Sequence, residues 1–222
     1  MPKPLRKNKI KVVRSARTRR ASHPISDTYD QILAVAEEEF ANNGYNGTSL
    51  EVIARRTGIR KASLFHHFTS KRKIFDAVVR RIFDQLVSIG RETAQIENPR
   101  EHLLAIVARL HDFIASHPNH ARLLMHRVLE DPASVRSSAE VFIKPLVLEM
   151  AQLVVRGAQM GEIRDGDGPI SLTLIALAMP ILAYSFAPVV EACTGIEVYA
   201  PASIAAIRTQ ILHRAETLLS PR

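Results

Sequence analysis

Thr48-Ser49-Leu50-Glu51-Val52-Ile53-Ala54-Arg55-Arg56-Thr57-Gly58-Ile59-Arg60-Lys61-Ala62-Ser63-Leu64-Phe65-His66-His67-Phe68-Thr69-Ser70-Lys71-Arg72-Lys73 decides how this chain is read. Two short helix signals there flank a tight turn. Thr48 is an N-cap candidate and Glu51 follows three residues later, the capping-box spacing. Leu50, Ile53 and Ala54 recur at helical spacing and form one apolar face. Gly58 can adopt the positive φ that ends a helix and turns the chain, and Ile59 is apolar where that turn must pack. Leu64 and Phe68, four apart, give the second helix a buried stripe. Arg60, Lys61, Ser63, His66 and His67 are left to point outward. This second helix carries basic, hydroxyl and aromatic side chains and no acid, a surface suited to the phosphate-lined major groove of DNA. The plainer alternative is a helical hairpin whose basic face is only solvated, because helix–turn–helix spacing is degenerate.

Flanking sequence favours the groove reading. Asp27 to Asn43 has the pattern of an amphipathic helix, with Ile32, Val35, Ala36 and Phe40 on one face and Gly44 closing it. Ser70 is an N-cap candidate for a helix that opens Lys-Arg-Lys, and three cations in a first turn oppose the helix dipole unless an anion lies near. The segment from Asp27 to Val79, about a quarter of the chain, resembles the N-terminal domain of the TetR family of transcriptional regulators. The resemblance is carried by Phe40, Gly44-Tyr45, Thr48-Ser49-Leu50, Ile53-Ala54, Thr57-Gly58-Ile59, Leu64-Phe65-His66-His67-Phe68 and Ser70-Lys71, with Ile74, Phe75 and Val78 following. It implies that residues 60 to 63 open the recognition helix, and that Lys71 with the aromatic pair Phe65 and His66 touches the DNA backbone. The expected DNA contacts are Thr48, Ser49, Arg60, Lys61, Ala62, Ser63, Phe65, His66, His67 and Lys71. Two departures stand out. Arg60 replaces the family's usual Ser cap, and Phe65-His66 replaces a common tyrosine pair, so Phe65 can meet a thymine methyl or pack but cannot donate to phosphate.

Charge is distributed accordingly. The chain of 222 residues has 30 Lys plus Arg against 22 acids, net +8. Residues 1 to 23 hold nine cations and no acid, and Thr48 to Ile82 hold nine more against Glu51 and Asp76, leaving 12 cations and 20 acids elsewhere. Positive charge confined to the N-terminal third fits a polyanion meeting only that third. Residues 1–26 read as a basic, disordered arm that either contacts DNA or only solubilises the chain. They lack the apolar core of a signal sequence. The most apolar run, Leu172 to Val190, contains Pro180 and Pro188 and reads as a buried helix, so no membrane partner is expected. One cysteine, Cys193, rules out an internal disulfide framework and fits a reducing cytoplasm.

The fold class expected is all-α: a three-helix DNA-binding domain at 27–72, then a six-helix regulatory and dimerisation bundle at 73–222. Proline and glycine set the expected helices Lys71–Glu97, Arg100–Ser116, Asn119–Glu130, Val135–Ile163, Pro169–Cys193 and Pro201–Leu219, making nine in all, a count that also matches the family. The breaks fall at Asn98-Pro99, His117-Pro118, Asp131-Pro132 and the turn 164–168.

Beyond the head, the chemistry is sparse. His111, His117, His120 and His126 lie close in sequence, but no cysteine or acid-rich ligand set accompanies them, so neither a metal nor a cofactor is expected. No nucleophile elbow or phosphate loop appears, and no enzyme activity is expected. Leu103, Val107, Leu110, Met125, Phe142, Leu146 and Met150 form either ordinary core or the wall of an apolar pocket, with His111 or Tyr184 orienting a ligand. Leu174, Leu177, Ile181, Ile204, Ile207 and Ile211 recur at helical intervals on the last two helices, which form the dimer interface in TetR-like proteins. The sequence thus reads as a homodimeric repressor that binds a palindromic double-stranded operator and leaves it when a small, largely apolar effector binds. A ligand-independent architectural DNA-binding protein and a helical-bundle enzyme are the alternatives.

Overall fold

The computed structural model describes residues 24–130, 136–137, 139–164 and 168–221. The basic arm up to residue 23, the Asp131-Pro132 break and residues 165–167 of the expected turn lie outside the described residues. Within them the chain is helical, without a strand. The head comprises α1 (Pro24–Gly47), α2 (Leu50–Arg56) and α3 (Lys61–His67). The body comprises α4 (Lys71–Thr93), α5 (Pro99–Ala115) and α6 (Pro118–Glu130), then α7, in which a π-helical turn Ala139–Ile143 runs into Lys144–Gln159. Next come α8 (Gly168–Thr173, a π-helical turn Leu174–Ala178, then Met179–Ser185), α9 (Ala187–Thr194) and α10 (Pro201–Leu219).

Most breaks follow the local chemistry that the sequence carries. Asn98 caps α5 by accepting from the Glu101 N–H at 3.0 Å, with Pro99 in the first turn. Ser70 caps α4 through the Lys73 N–H at 3.2 Å. Gly58 sits at φ 71° in the turn between α2 and α3. Two expectations are corrected. Thr48 does not cap α2; Ser49 does, accepting from the Glu51 N–H at 3.2 Å. The Thr48 hydroxyl instead serves the end of α1, lying 2.7 Å from the Gly44 carbonyl and 3.0 Å from that of Glu39. Pro169–Cys193 is two helices rather than one, because Phe186 leaves the helical path (φ −88°, ψ 2°) ahead of Pro188 and the axis bends by 55°. Pro145 and Pro180 are tolerated for a different reason: a π-helical turn directly precedes each, widening the spiral where a proline ring would strike a carbonyl.

Helix α5 is the centre of the body, packed against α4, α6, α7, α8 and α10. His102, Leu103, Ile106, Val107, Leu110, His111 and Ile114 are all buried on it. The core does not stop at the head. Phe40 of α1 meets Phe75 of α4 edge-on at 4.9 Å, and one continuous set of buried side chains runs from Ile32 to Leu219.

Candidate DNA-binding surface and its link to the body

Helix α3 is anchored by Leu64, which is fully buried, and by Phe68 just beyond its end. With that stripe inward, Arg60, Lys61, Ala62, Phe65 and His66 are exposed, and Ser63 and His67 are half-buried. Phe65 leaves 44% of its surface open to solvent, which an aromatic ring does not do for packing's sake. Arg60 stands at the N-cap with no side-chain cap hydrogen bond, so its guanidinium is not used by the helix start.

Three expected contacts sit differently from the rest. Thr48 is 3% exposed and its hydroxyl is occupied at the end of α1, so its side chain holds the head together. Lys71 donates from Nζ to the carbonyls of Thr48 (3.0 Å) and Asn46 (3.5 Å), and stands 4.5 Å from the centre of the Tyr45 ring. It therefore ties α4 to the α1–α2 junction, with at most one N–H left for a phosphate. Lys61 is ion-paired with Glu51, the acid in the first turn of α2. That pair and a hydrogen bond from Ser49 hold the Glu51 carboxyl down at about 2. The crowding of cations at the start of α4 is relieved within the chain, since Arg72 bonds Asp76 at 3.0 Å.

The head is coupled to the body through α6 as well as α4. His120 Nε2 lies 3.4 Å from Glu37 of α1, which Arg81 of α4 also contacts at 3.1 Å. Burial raises the Glu37 carboxyl, but His120 and Arg81 outweigh it and the net shift is downward. At the end of α6, the Glu130 carboxylate accepts from the Tyr45 N–H at 3.4 Å. Gly44 makes that approach possible. Its backbone is at φ 68°, ψ 176°, a region closed to residues with a side chain. A Cβ there would stand 3.0 Å from Glu130 Oε1.

The expected pocket residues are largely core. Leu103, Val107, Leu110 and Met150 are fully buried and Leu146 nearly so, while Met125 and Phe142 are half-buried. Phe142 stacks on Phe83 at 5.5 Å. His111 and Tyr184 do not wait for a ligand. The Asp112 carboxylate can only accept, so His111 donates to it from Nδ1 at 3.0 Å and accepts at Nε2 from the Tyr184 hydroxyl at 2.9 Å. Burial pushes the Tyr184 hydroxyl up to about 12. The other histidines are packed: the His117 and His120 rings stack in parallel at 4.4 Å, and His126 faces Glu130 at 3.6 Å. Among the described residues, no group of three or more His, Cys, Asp or Glu is placed to hold a metal. The sequence reading missed a cleft of about 350 Å³ between α4 and α5, framed by Gln85, Ser88, Ile89, Arg109, Asp112 and Phe113 among others. Its lining is dispersed over two helices and mixes polar with apolar types, so no sequence pattern marks it.

The expected interface residues also shift. Ile211 is 2% exposed within the single chain, and Leu177, Ile181, Ile204 and Ile207 are partly buried against the chain's own core. Only Leu174, at 58%, is widely open. The stripe read from α10 faces α5. The outer faces are different: Ile170, Leu174 and Leu182 on α8 with Phe186 at its end, and Ala202, Ala205, Ala206 and Thr209 on α10.

Comparison with known proteins settles the family. Residues 32–78 match the family described as "Bacterial regulatory proteins, tetR family", and residues 99–213, more than half of the chain, match "Tetracyclin repressor-like, C-terminal domain". The chain belongs to the TetR family. Its relatives include the HTH-type transcriptional regulator RutR of Escherichia coli (strain K12), 28% identical over 182 residues, covering 80% of this chain and 84% of RutR. The HTH-type transcriptional activator FasR of Mycolicibacterium smegmatis is 34% identical over 102 residues (46% of this chain and 47% of FasR). The biofilm operon negative regulator IcaR of Staphylococcus aureus (strain Newman) is 43% identical over 60 residues (27% and 32%). Two solved structures share the fold: AibR in complex with isovaleryl coenzyme A and operator DNA (TM-score 0.68, 20% identity, 88% of this chain and 100% of AibR), and FadR of Bacillus subtilis in complex with stearoyl-CoA (0.67, 17%, 86% and 99%). As a TetR-family member the chain is a DNA-binding transcriptional regulator and not an enzyme. No single helix among the described residues is long and apolar enough to cross a membrane.

Proposed function

We propose that this TetR-family chain is a homodimeric repressor that reads a palindromic operator with α3 and leaves it when an amphipathic small molecule binds the body. The observation that carries the reading is the double attachment of the head: α4 holds the α1–α2 junction through Lys71, and α6 holds α1 through His120 and Glu130. Any ligand that moves α4 or α6 changes the pose of α3. Coupling of about 1–3 kcal/mol is enough for a 5- to 150-fold change in operator affinity. The cleft between α4 and α5 is the entry we assign to the effector. Ile89 and Phe113 suit an apolar portion, and Arg109 suits an anionic one. The coenzyme A thioesters held by AibR and FadR support that class of ligand, and IcaR, a negative regulator, supports repression. Arg60, Lys61, Ala62, Ser63, Phe65, His66 and His67 are the side chains we assign to the DNA, with Ser49 at the rim. Lys71 acts mainly by positioning.

The dimer forms through the outer faces of α8 and α10. Exposed Leu174, Leu182 and Phe186 supply apolar area, and Ala202, Ala205 and Ala206 let the helices approach closely. Light scattering should give a dimer, and Ala205→Glu should give a folded monomer that binds a two-half-site duplex weakly. Selection from random duplex DNA should return a palindrome. Acyl-coenzyme A thioesters of varied chain length, titrated into the complex, should release the DNA. The filled interior around Leu103, Leu110, Met150 and Tyr184 favours one rival, a ligand-independent architectural protein. Binding without a motif, unaffected by every thioester, would establish that instead.

A further inference from the structure

Between Thr48 and Asp76, Glu51 is the one acid in a stretch with seven Lys or Arg. It does not retreat from the DNA-facing side. Its side chain is 62% exposed and that of Lys61 is 48% exposed, and the two are paired side by side, linking the first turn of α2 to the first turn of α3. Lys61 opens the exposed face that continues one turn later through Phe65 and His66.

A role in stability does not account for this placement. An exposed ion pair contributes little to folding. Nor does a role in phosphate binding, because Glu51 cancels the charge of Lys61 and itself repels phosphate. What the pair does offer is direction: ammonium donors beside a carboxylate that can only accept, held low enough to stay ionised. The major-groove edge of a G·C pair has the complementary pattern, acceptors at guanine O6 and N7 beside the donor amino group of cytosine.

We propose that Glu51 and Lys61 read one G·C pair together, Glu51 accepting from the cytosine amino group while Lys61 donates to guanine, so that Glu51 fixes the base preferred at one position of each half-site. This rests on the operator-binding reading above. The carboxylate also rejects pairs that would turn a carbonyl oxygen toward it, which makes Glu51 a specificity-determining residue rather than a source of affinity.

The test is selection from random duplex DNA, followed by affinity measurements on single-position variants of the chosen site, for wild type, Glu51→Ala and Glu51→Gln. Wild type should prefer cytosine by about tenfold at one position per half-site. Glu51→Ala should lose that preference alone, keep the rest of the motif, and bind unrelated duplex more tightly because an anion is gone. Glu51→Gln keeps the shape of the side chain and serves if the alanine variant misfolds; it should shift the position toward adenine, which an amide can bond twice. A motif unchanged at every position in both variants, or a loss spread evenly over all sequences, overturns the proposal and leaves the regulator reading standing. A wild type that selects no motif overturns the regulator reading itself.

Discussion

Lys71, where α4 meets the head, and Asp112 on α5 each gather several partners, but over very different lengths of chain. Lys71 reaches carbonyls 23 and 25 residues away, and the contacts that close the head on itself are shorter still: Thr48 to Gly44 spans four residues and Lys61 to Glu51 spans ten. Asp112 accepts from Arg208, 96 residues on, at 2.9 Å, and its neighbour His111 is bonded to Tyr184, 73 residues on. Within itself the head is a local structure whose polar groups satisfy one another along the chain; its joints to α4 and α6 reach farther, as Tyr45 does to Glu130 across 85 residues. The body closes large loops, and its buried polar groups are satisfied only once α8 and α10 have docked on α5. Local closure costs less chain entropy than pairing over long loops.

The largest test of this contrast is Phe40→Ala, which removes a fully buried ring packed on Phe75 and Tyr45. It should cost about 3–5 kcal/mol. Because Phe75 belongs to α4 and the core is continuous, denaturation followed by circular dichroism should still show one transition. Two transitions, with the head melting first, would break the chain into independent units. A smaller effect is expected from Tyr184→Phe in the body. It leaves the Nε2 of buried His111 without its donor, so urea denaturation should show a loss of about 1–3 kcal/mol, with operator selection unchanged. Thr48→Val is the matching substitution in the head. It removes the hydroxyl's hydrogen bonds to the Gly44 and Glu39 carbonyls and should loosen DNA binding more than it lowers the melting temperature, since the defect lies at the junction that positions α3. Equal effects on both readouts from both variants would erase the distinction between head and body.

The smallest effect concerns pH. Burial lowers the pKa of His102 from 6.5, outweighing the pull of Glu149. Its folded form therefore resists a proton that the unfolded chain accepts. Stability from this residue is fully present above about pH 6.5 and declines as pH falls from there toward the lower folded value. His102→Asn, which does not titrate, should flatten the slope of stability against pH between 7 and 5. A slope as steep as wild type would assign the acid sensitivity to other groups.

These length scales also explain what the sequence made legible. The head was read almost residue by residue, because caps, glycine turn and apolar spacing all act within a turn or two. The correction there is of one-residue register, since Ser49 and not Thr48 caps α2, and the backbone partners of Lys71 are not visible in the sequence. In the body, helix positions were legible from Asn98-Pro99 and the prolines, while partners were not. The stripe Ile204, Ile207, Ile211 announces that one face of α10 is buried, but the spacing is the same whether α5 or a second copy buries it. His111 and Tyr184 looked like ligand-orienting groups because nothing local shows that they find each other. The sequence alone marks Glu51 only as a helix-start residue, because an acid at that position fits the dipole of α2.

The contact at Gly44 bears on how such regulators can be recombined. A chimera that joins this head to another family member's body at residue 72 would discard Glu130 and His120 and place an unmatched helix end against a backbone shaped to receive this one. Helix α6 should travel with α1 to α3, even though α4 and α5 separate them in the chain. The transferable unit is defined by that joint, not by the stretch of sequence that resembles a domain.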